Sequence, residues 1–153
     1  MKKIIILIPI YNDWKSLIKL IEEISENINI FSDFKFECLV INDSSSINQP
    51  KLSKPRNFHS LKIMNMKQNK GHARCNAFGI RHVFEKEDFD YLILMDGDGE
   101  DRPVEIKNFM EKILNNPNNS IVAKRIKRSE GIFFKSLYQI HKLIILIFTG
   151  KKI

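Results

Sequence analysis

The chain has 153 residues, a length that suits one domain with a real core, and its 43% apolar and 28% charged content excludes disordered and fibrous classes. The formal net charge is +7, yet residues 1–123 balance, and the whole excess lies in 124–153, where eight Lys/Arg face Glu130 alone. Cys38 and Cys75 are too few for a disulfide framework or a zinc cluster, so two reduced thiols in a cytoplasmic protein are expected.

The chain opens with KIIILIPI (3–10), short, continuous and Ile-rich, as a strand covered on both faces should be. Its apolar run is too short and too soon followed by polar residues for a signal sequence, so a buried strand is expected. Asn12 and Asp13 suit the cap of a helix with the stripe Trp14, Leu17, Ile18, Ile21 and Ile24. FECLVIND (36–43) reads as a second buried strand, and residues 44–59, with Ser44-Ser45-Ser46, Pro50 and Pro55, as an irregular connection. LKIMNM (61–66) reads as a third strand. Gly71 opens a helix whose predicted inner face is Ala73, Ala77, Ile80 and Phe84. YLILM (91–95) is the fourth strand, Pro103 suits the first turn of a helix to about Asn115, SIVAK (120–124) is a fifth strand, and 132–149 an apolar helix.

Strand–helix alternation predicts an α/β sandwich with a mostly parallel sheet, whose ligand site lies outside the carboxyl ends of the strands. Three polar clusters fall at those ends: Tyr11-Asn12-Asp13, Asn42-Asp43, and the run Asp96-Gly97-Asp98-Gly99-Glu100-Asp101. The last puts four carboxylates into six residues, which costs energy unless a positive charge sits among them. A calcium loop of the EF-hand type is excluded, because its sixth and twelfth positions would hold Asp101 and Lys107 rather than Gly and Glu. A phosphatase of the haloacid dehalogenase type fits D-x-D-G in letters, but the motif follows the fourth strand and Glu100 stands where a hydroxyl residue is usual. A plain polar loop whose aspartates cap the next helix is the bland alternative. A D-x-D site for Mg²⁺ or Mn²⁺ is the fourth reading: hard cations take carboxylate oxygens and keep sites for water and substrate phosphate.

Five segments in order resemble family 2 glycosyltransferases of the GT-A fold, in the branch that includes polyprenyl-phosphate glycosyltransferases. IPIYND resembles I-P-x-Y-N-E/D, and VINDSS resembles V-x-D-x-S. NKGHARCNAFGI resembles N-x-G-H-x-x-A-x-x-x-G-I/L, and LMDGDGEDRP a D-x-D-G-E/Q-D-x-P block. AKRIKRSEG with FFKSLYQIHKLIILIFTG resembles a basic stretch and a helix ending in T-G. Together they cover nearly the whole chain.

The resemblance implies a Rossmann-like nucleotide-diphospho-sugar transferase sandwich over residues 1–153, taken as a single donor-binding catalytic domain. It implies a nucleotide-sugar donor, a bound Mg²⁺ or Mn²⁺, inversion at the anomeric carbon, and a polyprenyl phosphate or glycan acceptor. Pro9 and Tyr11 would lie against the nucleobase with Asp13 nearby, and Asp43 would contact base or ribose. Gly71 would allow close backbone approach, and Arg74 would pair with the acidic rim or the diphosphate. Asp98 would be the direct metal ligand and the catalytic carboxylate, Asp96 would sit near the ribose or metal, and Glu100 would assist coordination. Asp101 would cap the helix at Pro103, while Arg125 and Arg128 would hold phosphate. His72 matches the motif but receives no chemistry.

The tail LIILIF (143–148), flanked by lysines, is too short to span a bilayer and suits a membrane surface or a partner chain through 132–153. That places the protein in the cytoplasm, peripheral on the cytoplasmic face of the membrane. Nucleic acid is not an expected partner, since no recognised module accompanies the charge. Relatives of the family continue beyond the T-G that matches Thr149-Gly150, so the acceptor-side portion is expected to be missing. The competing reading is a truncated, non-catalytic nucleotide-sugar-binding module.

Overall fold

The computed structural model describes residues 1–123. Residues 1–119 form one compact unit and residues 120–153 belong to a second. The order is β1 (Lys2–Ile10), α1 (Trp14–Ile28), β2 (Phe34–Asn42), β3 (Ser60–Asn65), α2 (His72–Lys86), β4 (Tyr91–Leu94), a 3₁₀ turn (Pro103–Glu105) and α3 (Ile106–Asn115). The four strands form one sheet in the order β3-β2-β1-β4, and every pairing is parallel. The predicted strands and helices to Asn115 are all present, shifted by a residue or two at their ends.

The central strands are apolar on both faces because both are covered. Ile4 to Ile8 are buried without exception, as are Leu39, Val40 and Ile41. On one face Ile5, Leu7, Leu39 and Ile41 pack with Cys75 and Val83 of α2. This corrects the predicted inner face of α2: Ala73, Ala77 and Phe84 are exposed, Phe84 by 69%, and the buried side chains are Cys75 and Val83 with Gly79 between them. The physical reason is close approach: a Cβ on Gly79 would stand 2.7 Å from Leu7 Cδ1, so the helix settles on its smallest side rather than its most apolar stripe. On α1 the buried stripe is Trp14, Leu17, Leu20, Ile21, Ile24 and Ile28, while the predicted Ile18 is only half-buried. α1 and α3 pack on each other, and α3 buries Ile106, Met110 and Ile113. Both cysteines are buried and unpaired, and burial pushes the Cys38 thiol up to about 12, so it stays protonated and behaves as a small apolar side chain.

Register puts the strand ends where they matter. Ile10, Asn42 and Asn65 lie side by side across β1, β2 and β3. β4 ends earlier, with Leu94 opposite Leu7, so the acidic loop starts below the rim and runs past the end of β1. Residues 120–123 carry no regular secondary structure, so the expected strand at 120–124 is absent from its described part. Arg125, Arg128 and the apolar segment 132–149 lie outside the described residues.

Candidate functional site

At the end of β1 the chain turns sharply through Asn12, which takes a left-handed φ of 65°, a conformation Asn tolerates better than most residues. The Asn12 side chain holds the loop after β2: its Oδ1 accepts from the Ile47 backbone N–H at 3.0 Å and from the Ser46 hydroxyl at 3.2 Å. Its own N–H donates to Ser45 Oγ at 2.8 Å. Ser45 in turn donates to Asn42 Oδ1, and the Asn42 amide donates to Asn65 Oδ1 at 2.8 Å. Three strand tips are thus laced together by short polar side chains. Asp13 caps α1, its Oδ1 accepting from the Ser16 N–H at 3.2 Å, as expected for Asp at that position. Tyr11 projects from the turn and is 51% exposed.

Asp43 does something the sequence reading did not assign. It is 3% exposed, and its two carboxylate oxygens accept the backbone N–H groups of Lys70 and Gly71, each at 2.8 Å. Gly71 holds φ 81° and ψ 160°, a region open essentially to glycine alone. The turn before α2 is therefore clamped by the tip of β2. The next residue, His72, places Nε2 3.4 Å from Asp96 Oδ1 and 2.9 Å from the Asn76 amide nitrogen.

The acidic loop is folded by its own backbone. Asp101 Oδ2 accepts from the Asp96 N–H and Asp98 Oδ1 from the Glu100 N–H, both at 2.9 Å. This corrects the expected role of Asp101: no side chain caps the turn at Pro103, and the Asp101 carboxylate closes the loop backwards onto its first residue. Gly97 is required for close approach, since a Cβ there would stand 2.7 Å from the Pro9 carbonyl oxygen. Burial pushes the Asp96 carboxyl above its ordinary value; the His72 ring pulls it down, and the Asp101, Asp98 and Glu100 carboxylates push it up again.

These elements enclose a cavity of about 150 Å³ lined by Pro9, Ile10, Tyr11, Asp13, His72, Asp96, Gly97 and Asp98. Five of the predicted site residues therefore meet around one space: Pro9, Tyr11, Asp13, Asp96 and Asp98. Asp43 and Gly71 stand behind it, joined to it through His72. Arg74 is exposed on α2 and makes no ion pair with the acidic loop among the described residues. Glu100 is exposed and lies outside the cavity lining. A larger, open groove of about 640 Å³ runs between α1 and residues 98–104, and it shares Asp98. The smaller space is the better candidate because it gathers the strand tips, whereas the larger is a solvent groove along a helix flank. The sequence reading named His72 for its place in N-x-G-H but gave it no chemistry, and the structure puts its ring in the cavity lining beside Asp96.

The donor set suits a hard cation. Asp96 and Asp98 offer carboxylate oxygens to one cavity, and among the described residues no three His, Cys, Asp or Glu side chains converge on a single point. A site with two protein carboxylates and room left over is what Mg²⁺ or Mn²⁺ uses when it shares its coordination with water and phosphate.

Comparison with known proteins then decides the family: the model for Glycosyl transferase family 2 matches residues 5–152. The chain belongs to glycosyl transferase family 2. Among curated relatives of this family 2 chain is an undecaprenyl-phosphate 4-deoxy-4-formamido-L-arabinose transferase of Salmonella choleraesuis, 29% identical over 154 residues. The match covers 98% of this chain and 45% of that relative. The protein of the same name from Salmonella newport matches at the same 29% identity. The chain thus spans about half the length of the curated relatives it matches. Among solved structures, S. aureus TarS residues 1–349 superpose with a TM-score of 0.52 at 16% identity, covering 84% of this chain and 40% of TarS 1–349. That likeness concerns the fold, and it agrees with the GT-A sandwich expected of family 2.

Proposed function

We propose that this chain binds a nucleotide-diphosphate sugar together with Mg²⁺ or Mn²⁺ and transfers the sugar, with inversion, to a polyprenyl phosphate. The observation that carries the reading is the meeting of Asp96 and Asp98 with Pro9 and Tyr11 around one cavity at the carboxyl ends of β1 and β4. At about 150 Å³ that cavity is smaller than the roughly 300–1,000 Å³ of a pocket for a whole ligand, so it would take the diphosphate end of the donor. The base would lie along the open rim, against the exposed Tyr11 ring.

Asp98 and Asp96 would hold the cation, with Glu100 as an assisting oxygen ligand. Bound there, the cation supplies charge neutralisation for the nucleoside diphosphate that leaves. Pro9 and Gly97 bring the metal-side loop against the end of β1, fixing the carboxylates in space. Asp13 caps α1 and so sets where Tyr11 can reach. Arg125 and Arg128 are proposed as phosphate ligands, since guanidinium groups pair with phosphate in bidentate fashion. In the transfer, an acceptor phosphate oxygen forms a bond to the anomeric carbon. The bond to the donor diphosphate breaks on the opposite face, and the diphosphate keeps the electron pair. A phosphate oxygen is already anionic near neutral pH, so the step requires no general base.

The lipid acceptor is supported by the names of the Salmonella relatives and by the basic, apolar sequence of the tail. No helix of the described residues is long and apolar enough to cross a membrane. The family match from residue 5 to residue 152 supports treating the whole chain as one functional region.

The test is transfer itself. Incubation with Mn²⁺, undecaprenyl phosphate in vesicles and a panel of UDP-, GDP- and other nucleotide-sugars should yield a glycosylated lipid by mass spectrometry. Donor binding without transfer to either lipid or glycan acceptors would leave a donor-binding module and remove the transferase reading for this chain.

A further inference from the structure

The charge in the acidic loop is held unequally. Asp98 and Asp101 each accept a backbone N–H of the loop itself, so the loop fixes their direction. The Asp96 carboxylate accepts no such bond: among the described residues its side-chain partner is the His72 ring, Nε2 to Oδ1 at 3.4 Å. His72 also has Nε2 2.9 Å from the Asn76 amide nitrogen, itself a donor, so the ring donates to Asp96 when Nε2 carries a proton and accepts from Asn76 when it does not. The His72 backbone follows a turn whose Lys70 and Gly71 N–H groups are both bound by the buried Asp43. A strap of two residues, Gly71 and His72, thus runs from the tip of β2 to the carboxylate at the tip of β4, with β1 between those strands.

We propose that His72 is a positioning residue: carried on the turn that Asp43 clamps, its ring orients the Asp96 carboxylate within the cavity. The proposal rests on the donor-site reading given above for the identity of what Asp96 holds, but the contact itself does not. Partners of this kind, which donate to a ligand carboxylate without touching the ion, typically change metal affinity by about 10–100-fold when removed. The strap also gives Asp43 a second consequence, because loosening the turn would release His72 and with it Asp96.

The experiment uses the full chain and two readouts. Mn²⁺ alone is titrated by electron paramagnetic resonance against wild type, His72→Ala and His72→Gln, with folding checked by circular dichroism. His72→Ala should weaken Mn²⁺ binding by about tenfold or more. His72→Gln, which keeps an N–H donor at that place, should recover most of the loss. Separately, the ¹⁵N resonances of the His72 imidazole are recorded in metal-free protein, and Asp96→Asn should shift them. Wild-type-like Mn²⁺ affinity in His72→Ala overturns the positioning role, as does a His72 ring indifferent to Asp96→Asn. If the wild type itself binds no Mn²⁺, the donor-site reading fails, and the imidazole resonances alone then decide whether His72 holds Asp96.

Discussion

Gly97→Ala should separate a site built on close backbone approach from one that merely contains two aspartates. The new Cβ would stand 2.7 Å from the Pro9 carbonyl oxygen and 3.3 Å from Ile8 Cγ2, against the 3.4 Å at which ordinary contact begins. The first neighbour is backbone of a central strand, held in register against Ile41 of β2, and cannot easily step aside. The loop must therefore move by about 0.7 Å, the difference between those distances, taking Asp96 and Asp98 with it. Overpacking of this sort costs about 1–3 kcal/mol. In a chain of this size that is a fall in Tm of roughly 2–4 °C per kcal/mol. A displacement of that order in ligand-bearing residues should cost about tenfold to a hundredfold in Mn²⁺ affinity. Thermal melting by circular dichroism and Mn²⁺ titration measure the two effects on one preparation. A Gly97→Ala protein with wild-type Tm and wild-type Mn²⁺ affinity would refute the reasoning.

Other perturbations follow from the same geometry. Asp43→Ala removes the 2.8 Å acceptors of the Lys70 and Gly71 N–H groups, the second of which keeps Asn69 Oδ1 at 3.1 Å, and at about 1 kcal/mol per bond lost it should lower Tm in chemical and thermal melts. Asp43→Asn, with one acceptor oxygen left, should fall between. Asp96→Asn removes a carboxylate held above its ordinary value by burial and like-charged neighbours, so Tm should rise near neutral pH even as Mn²⁺ binding is lost; a lower Tm would contradict that electrostatic account. At the opposite end of the sheet, Lys62 donates to Glu87 at 2.7 Å and holds its carboxyl below the ordinary 4.5. A depressed carboxyl contributes stability above its unfolded value and loses it as pH falls through the folded value. Glu87→Gln should therefore destabilise the protein near pH 7 and leave it little changed in melts well below pH 4.

Much of this arrangement was legible in the residues, for identifiable reasons. Parallel strands buried on both faces read as near-continuous apolar runs, and IIILIPI of β1 and CLVI of β2 do. The carboxyl ends of such strands form one rim, so the polar clusters after them could be assigned to one site before any coordinates. The inner face of α2 was not legible by periodicity. Ala73, Ala77, Ile80 and Phe84 form the better apolar stripe, but Gly79 lets the helix approach Leu7 and Ile41 on the side of Cys75 and Val83, which takes in Ile80 from that stripe. Periodicity counts apolar side chains and is blind to the value of having none. Asp101 was misread for a related reason: an Asp two residues before Pro resembles a helix cap, whereas the loop needs an acceptor for its own first N–H. The double clamp by Asp43 and the contact between His72 and Asp96 join residues far apart in sequence, and no local pattern encodes them.

The central claim is that Asp96 and Asp98 form a cation-dependent site for a nucleotide diphosphate. Isothermal titration of UDP and GDP into the full chain, with and without Mn²⁺ and repeated on Asp98→Ala, tests it most directly. The account predicts that one nucleotide binds, that Mn²⁺ tightens it at least about tenfold, and that Asp98→Ala abolishes the Mn²⁺ effect. Binding that is absent, indifferent to Mn²⁺, or unchanged in Asp98→Ala would contradict it.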